Sequence, residues 1–306
     1  LMQLGGSIAT AAVNLFSIPL NANAYLATYN PKSGYGGGFG FSKASSALTT
    51  AAWSVKSPSL AKLSEINRML NQQGGLEEAR SKHKLEPDEL KAFQKATGEG
   101  VLQAAMFNAL VGTARGGVNS NQWSKAIETW MAAFTYTEQY NRRATFLAAY
   151  RLERDRRYAS ISPDLKGDAL EEAKLRANIE AENFAITAVN TSQGEYAMYN
   201  RPEMARGNFM QYLFIYKQFT IITTQLIKNM DYKGKVYMLG LLLLMSGIKG
   251  IPFEEDLADL VDTLAQKFKI PIGTVDKELA TFIDDVAPGF SPIAMRGFLD
   301  YYFNIS

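Results

Sequence analysis

Two apolar runs joined by a short polar turn set the strongest limit on how this chain can fold. Phe209 to Ile227 carries one charge, Lys217, in nineteen residues. Lys228-Asn229-Met230-Asp231-Tyr232-Lys233-Gly234-Lys235 reads as the turn. Thirteen uncharged residues follow from Val236 to Ile248, with Leu239, Leu241, Leu242, Leu243 and Leu244 among them. Lys249-Gly250-Ile251-Pro252 then puts glycine and proline where a helix stops. The pattern predicts an apolar helical hairpin over residues 209–252. Full burial of one apolar side chain is worth roughly 1.5–3 kcal/mol, so a bare hairpin of this composition would be insoluble. Neighbouring helices or lipid must cover it.

Both covers fit the spacing. A helix needs about twenty predominantly apolar residues to cross a bilayer core, which the first run reaches and the second does not. Gln211, Gln218 and Gln225 recur at sevens and give the first helix a narrow polar stripe. Unpaired against lipid that stripe is costly, whereas it suits a lumen, water or a partner helix. Leu239, Leu242 and Leu243 are the expected membrane or subunit contacts, together with the three glutamines. Lys228, Lys233 and Lys235 are the expected contacts to anionic head groups or to nucleic acid. Charge is partitioned around the hairpin: residues 201–250 carry a net +5 and residues 251–306 a net −6, in a chain whose total is +2. Mutual neutralisation within a helical array is the simplest use of that division.

Elsewhere the period is helical. Ser57-Pro58 is an N-cap with proline at the first helical position, followed by Leu60, Leu63, Ile66 and Leu70. Glu86-Pro87-Asp88-Glu89 opens a second short helix with its acids at the positive end of the dipole. A long helix is expected from Asn119 or Ser120 to about Tyr158, striped by Trp123, Ile127, Trp130, Phe134, Phe146, Leu147 and Tyr150. Asp168-x-x-Glu171 resembles a capping box and starts a helix reaching about Asn190. No stretch alternates long enough to predict a strand. The expected fold is an all-α multi-helix bundle of roughly ten helices, with long helices and the apolar hairpin, and the Leu1-Met2-Gln3 start suggests part of a larger chain. Residues 1–57 form a low-charge, Ala/Ser/Gly-rich segment with a flexible loop. Residues 58–190 make a helical domain and residues 191–306 a C-terminal helical domain holding the hairpin.

Composition removes most enzyme chemistry. With no cysteine, disulfides, thiolate metal sites and cysteine nucleophiles are all excluded, and a single histidine, His83, excludes paired-histidine zinc motifs. His83 sits in Ala79-Arg80-Ser81-Lys82-His83-Lys84, a charged run that reads as solvated surface. No Gly-x-Ser-x-Gly elbow occurs. Glu99 and Glu195 lack the following serine of a peptidoglycan-cleaving acid. The glycine run Gly34 to Gly40 lacks the preceding strand and the Gly-Lys-Ser/Thr ending of a phosphate loop, so a linker or turn is expected there. Glu254, Glu255, Asp256, Asp259 and Asp262 read as an acidic helix start rather than a Mg²⁺ site. Arg151 to Arg157 mixes signs and reads as a salt-bridged helix surface or a subunit interface, with phosphate binding by Arg154, Arg156 and Arg157 second. Tyr136, Tyr140 and Tyr150 lie near these arginines; such interleaving can grip single strands, though aromatics at helical spacing more often build core. Neither an enzyme activity nor a cofactor or metal is expected.

The order of signals after Asp168 carries a resemblance. An Ala- and Glu-rich helix leads to Tyr199-Asn200-Arg201-Pro202-Glu203-Met204-Ala205-Arg206-Gly207. The aromatic helix, the leucine run, Gly250-Ile251-Pro252-Phe253 and Leu260-Val261-Asp262-Thr263-Leu264 follow, and the chain closes with Pro292-Ile293-Ala294-Met295-Arg296-Gly297-Phe298. Over roughly the last 140 residues this resembles the C-terminal region of large tailed-phage internal virion proteins with a Pro-Leu-x-Arg-Phe-Gly motif. Ile293 replaces leucine, an extra residue precedes Arg296, and Gly and Phe are exchanged. The resemblance implies a bacteriophage internal virion (DNA-ejection) protein that oligomerises into a helical conduit across the host cell envelope. Its implied partners are further copies, other virion ejection proteins, genomic DNA in transit and the host inner membrane. Its implied location is the virion interior, then the envelope. A membrane-active pore-forming helical protein and a non-catalytic part of a multifunctional virion enzyme are the alternatives.

Overall fold

The computed structural model describes residues 17–103, 132–194, 223–247 and 291–303, with Leu15, Lys277, Ala280, Thr281, Asp284 and Gly289. The chain is all-α, and no strand occurs among the described residues. It divides into two compact units, Leu1–Asp231 and Tyr232–Ser306. The boundary therefore falls inside the expected hairpin rather than near residue 190. On its first side Leu226 and Met230 are buried and Asn30 Nδ2 donates to the Asn229 carbonyl at 2.9 Å.

In the first unit a π-helical turn, Ile18–Ala22, runs into α1, Asn23–Ala27. Then come α2, Phe41–Ser54; a 3₁₀ turn, Pro58–Ala61; α3, Leu63–Asn71; α4, Gly75–His83; and α5, Pro87–Gly98. Two long helices, α6 (Ala132–Ala159) and α7 (Asp168–Gln193), form the frame. Near their short connection Tyr158 Oη donates to Asn178 Oδ1 at 2.9 Å, and at the far end Gln193 Nε2 donates to Thr145 Oγ1 at 3.3 Å, so the pair is antiparallel. The face of α7 turned inward is built of Ala177, Ala181, Ala185, Ala188 and Val189, small side chains that let two helices approach closely. On α6, Ala144, Phe146, Leu147, Ala148 and Tyr150 are buried. Phe93 of α5 meets the Phe146 ring edge-on at 5.4 Å between centroids.

Local chemistry explains the helix ends and departs from the sequence reading in places. Ser57 accepts from the Ser59 amide at 3.4 Å as expected, but the helix breaks at Lys62. The buried stripe is therefore Leu60, Ile66 and Met69, with Leu63 left exposed. Glu86 and Glu89 close a reciprocal capping box on α5. On α7 the N-cap is Gly167, with no side-chain cap, so Asp168 and Glu171 favour the helix start through the dipole of the first turn instead. The second unit contains α8, Tyr232–Ser246, packed against α9, Ser291–Phe303.

Candidate functional site

Helix α8 starts four residues earlier than its apolar run, because only Met230 and Asp231 break the helix. Lys233 and Lys235 therefore lie in its first turn, where the dipole favours acids, instead of in a polar loop. Neither forms an ion pair among the described residues. The helix ends at Ser246, before the expected Gly250, and Gly247 adopts a left-handed φ of 69°. A Cβ on Gly247 would stand 2.3 Å from the Gly297 amide nitrogen and 2.4 Å from the Met295 carbonyl, so only glycine permits this crossing. Gly297 itself has φ 81° and kinks α9. The glycine of the closing Pro-Ile-Ala-Met-Arg-Gly segment thus marks where the end of α8 passes over α9. Upstream, Asp284 accepts from the Ser291 hydroxyl at 2.7 Å and from the amides of Ser291 and Gly289, bonds that hold its carboxyl below the usual range.

The faces of α8 separate the leucines that the sequence grouped together. Gly234, Met238 and Leu242, four apart, form its buried strip, with Leu242 at 6% exposure. Leu242 is a core residue and not a surface contact. Leu239 and Leu243, at 41% each, lie outward with Val236 and Leu244. These four large apolar side chains on one 15-residue helix are the candidate site. Val236 and Leu244 escaped the sequence reading because an unbroken apolar run does not reveal which face is inward. Gln225 is exposed, as are Lys228 and Lys233, while Lys235 is half-buried. Lys228 belongs to the first unit and Lys233 and Lys235 to the second. Gln211, Gln218, Trp123, Trp130, Glu195, the 199–207 segment and the 254–262 acids lie outside the described residues. No helix is long and apolar enough to cross a membrane among the described residues.

The first unit accounts for the other motifs by hydrogen bonding. The glycine run is a turn that caps α1. Gly37, Gly38, Phe39 and Gly40 donate their amides to the carbonyls of Tyr25, Thr28, Leu26 and Ala27 at 2.8–3.2 Å. Those amides are already paired and do not point at a phosphate. At Gly36, with φ 99°, a Cβ would lie 2.1 Å from the Thr28 carbonyl oxygen. Arg156 of α6 donates to the Gly37 carbonyl at 3.1 Å and lies over the Phe39 ring, fastening the turn to the frame.

The Arg151–Arg157 run is salt-bridged, and more deeply than a surface. Glu89 is buried and takes a two-pronged hydrogen bond from Arg151 at 2.8 and 2.9 Å and a third from Arg154 at 3.1 Å. Glu153, also buried, pairs with Arg156 and with Arg157 at 2.6 Å. Arg157 reaches on to Glu180 of α7. Arg142 donates to the carbonyls of Val101 and Gly194 at 2.7 and 2.8 Å. A side-chain relay runs from Asn141 to Ser17 at 2.8 Å, from Ser17 to Gln193 at 2.9 Å and from Gln193 to Thr145.

His83 corrects the sequence reading: it is 5% exposed, set at the end of α4 against the backbone of Ser54. Burial pushes its pKa below the usual histidine range, which keeps it neutral at pH 7. Its charged neighbours Lys82 and Lys84 are exposed. Glu99 is exposed at the C-terminus of α5, without the enclosed cleft that a glycosidic acid needs. No group of three His, Asp or Glu suited to a metal ion occurs among the described residues. Comparison with protein-family models, curated proteins and solved structures gives no match.

Proposed function

We propose that this chain is the helical part of a bacteriophage internal virion protein, a non-enzymatic ejection protein that oligomerises into a conduit across the host envelope for genome delivery. The observation that carries this reading is the outward apolar stripe of α8, Val236, Leu239, Leu243 and Leu244. Four half-exposed aliphatic side chains in a row favour a protein or lipid cover, worth about 1 kcal/mol each at half the full-burial value. Supporting it is the C-terminal order of features that resembles tailed-phage virion proteins. In this reading the stripe packs against further copies in the assembled conduit. Lys233 and Lys235 approach anionic head groups of the inner membrane, each contributing about 1 kcal/mol near such a surface.

The test is the oligomeric state of the full chain by native mass spectrometry and mass photometry at micromolar concentration, with and without anionic liposomes. Assembly of the wild type and its loss in Leu239→Lys/Leu243→Lys are expected. A chain that stays monomeric under all these conditions rejects the conduit. Peptides of the protein are expected in purified virions by mass spectrometry, and their absence rejects the virion assignment.

A further inference from the structure

A second surface, in the first unit, has a different chemistry. Trp53, near the C-terminus of α2, is 68% exposed, unusual for the largest aromatic side chain. Lys56 places its ammonium 5.1 Å from the Trp53 ring centroid. Two tyrosines of α6 bracket this corner: Tyr140 Oη donates to the Ala52 carbonyl at 3.3 Å and Tyr136 Oη to the Lys56 carbonyl at 3.0 Å. Tyr136 is 42% exposed. The hydrogen bonds fix the backbone on both sides of Trp53, so the indole is presented from a braced corner.

The chain segment that carries this corner is basic. Residues 1–64 contain Lys32, Lys43, Lys56 and Lys62 and no carboxylate. Arg143 lies directly behind, fully buried, with Nη1 donating to the Ser57 carbonyl at 3.2 Å and Nε to the Gln139 carbonyl at 3.0 Å. Its Nη2 has no hydrogen-bond partner, and no carboxylate pairs with it among the described residues. Glu138, the acid next along α6, is itself buried. Among the described residues no carboxylate offsets this guanidinium, so its positive charge adds to that of Lys56.

We propose that Trp53, Lys56 and Tyr136 form a stacking platform for single-stranded nucleic acid. Exposed aromatic faces take successive bases, and a nearby cation takes the phosphate, a combination that serves any base sequence. Duplex DNA hides its base faces and is held by many phosphate contacts, which this thinly charged corner does not supply. The platform lies apart from α8 and does not depend on the conduit reading.

Fluorescence anisotropy with the full chain tests it, using labelled dT20 and the matched 20-base-pair duplex across a salt series. The expected results are tighter binding of dT20 than of duplex and a shallow salt dependence, with a log–log slope of about −1 to −2, as one to three phosphate contacts give. Trp53→Ala weakens dT20 binding about 5- to 150-fold, the range of one lost base stack, while Trp53→Phe retains most of it. Lys56→Glu weakens it further at low salt than at high salt. Trp53 is exposed, and circular dichroism establishes that the variants stay folded. Equal affinity for duplex, or indifference to Trp53→Ala, overturns the proposal. So does a concentration-dependent dimer that Trp53→Ala abolishes without any dT20 binding, since the corner is then a contact between copies.

Discussion

Helices α6 and α8 invert each other. Helix α6 keeps charge inside: Arg142, Arg143 and Glu153 are buried along it, and Arg151 and Arg154 reach the buried Glu89. Helix α8 keeps apolar surface outside, with Val236, Leu239, Leu243 and Leu244 exposed. In α6 the interior charges Arg142 and Glu153 are held by carbonyls and by counter-ions respectively. Such an interior gives little net stability but penalises every alternative packing, because a shifted register strands a charge. On the outward face of α8 nothing comparable sets a register, since leucine packs against any apolar surface. The contrast separates a region whose structure is specified internally from one whose cover is left to something else.

The largest effect is expected where the interior charge is broken. Glu89→Ala leaves Arg151 and Arg154 without their carboxylate and costs about 3–5 kcal/mol in denaturant unfolding. A cost under about 1 kcal/mol would mean that the cluster is solvated and that the contrast with α8 is weaker than drawn.

Next comes a neighbouring pair on α8. Leu242→Ala opens a cavity in the second unit and costs about 2–5 kcal/mol, whereas Leu243→Ala, one residue on, stays within about 0.5 kcal/mol. Hydrogen exchange of α8 amides reads both. Equal costs would put Leu243 inside the fold and remove it from the candidate surface.

Gly36→Ala tests whether the polar accounting of the first unit extends to the backbone. The positive φ alone costs about 1–3 kcal/mol, and the contact with the Thr28 carbonyl adds to it. Thermal unfolding should show the loss, and an unchanged midpoint would contradict the tight turn.

The smallest effect concerns pH. His83 binds a proton more weakly folded than unfolded, so its contribution is complete above the unfolded value of 6.5 and is lost as pH falls below it. Wild-type melting temperature should drop between pH 7 and pH 5 more than that of His83→Gln. Parallel pH profiles would place the imidazole in water.

What the sequence revealed follows the same line. Helical periodicity, Pro58 and Pro87 were legible because they act within one turn of chain. The burial of His83 was not, since it depends on α4 meeting Ser54 from a different helix, and local charge pointed the other way. The apolar run from Val236 was legible as a helix, but the division of the chain at Asp231 was not. Asn30 bonds to Asn229, 199 positions on, a contact that no local pattern announces. Leu239, Leu242 and Leu243 are indistinguishable by composition, and only the helix face sorts the buried one from the exposed pair. Trp53 drew no notice because an isolated tryptophan in an apolar-looking helix ordinarily faces inward.

Ser17 hydrogen-bonds to Asn141 and to Gln193, partners 124 and 176 positions later in the chain. At roughly 5–20 residues per second, a ribosome delivers Gln193 about 10–35 s after Ser17. Through that interval the N-terminal segment has its own turn but not its dock. The order of synthesis therefore leaves Ser17 undocked until α7 has been made, and the Asn30–Asn229 contact of the same unit closes later still.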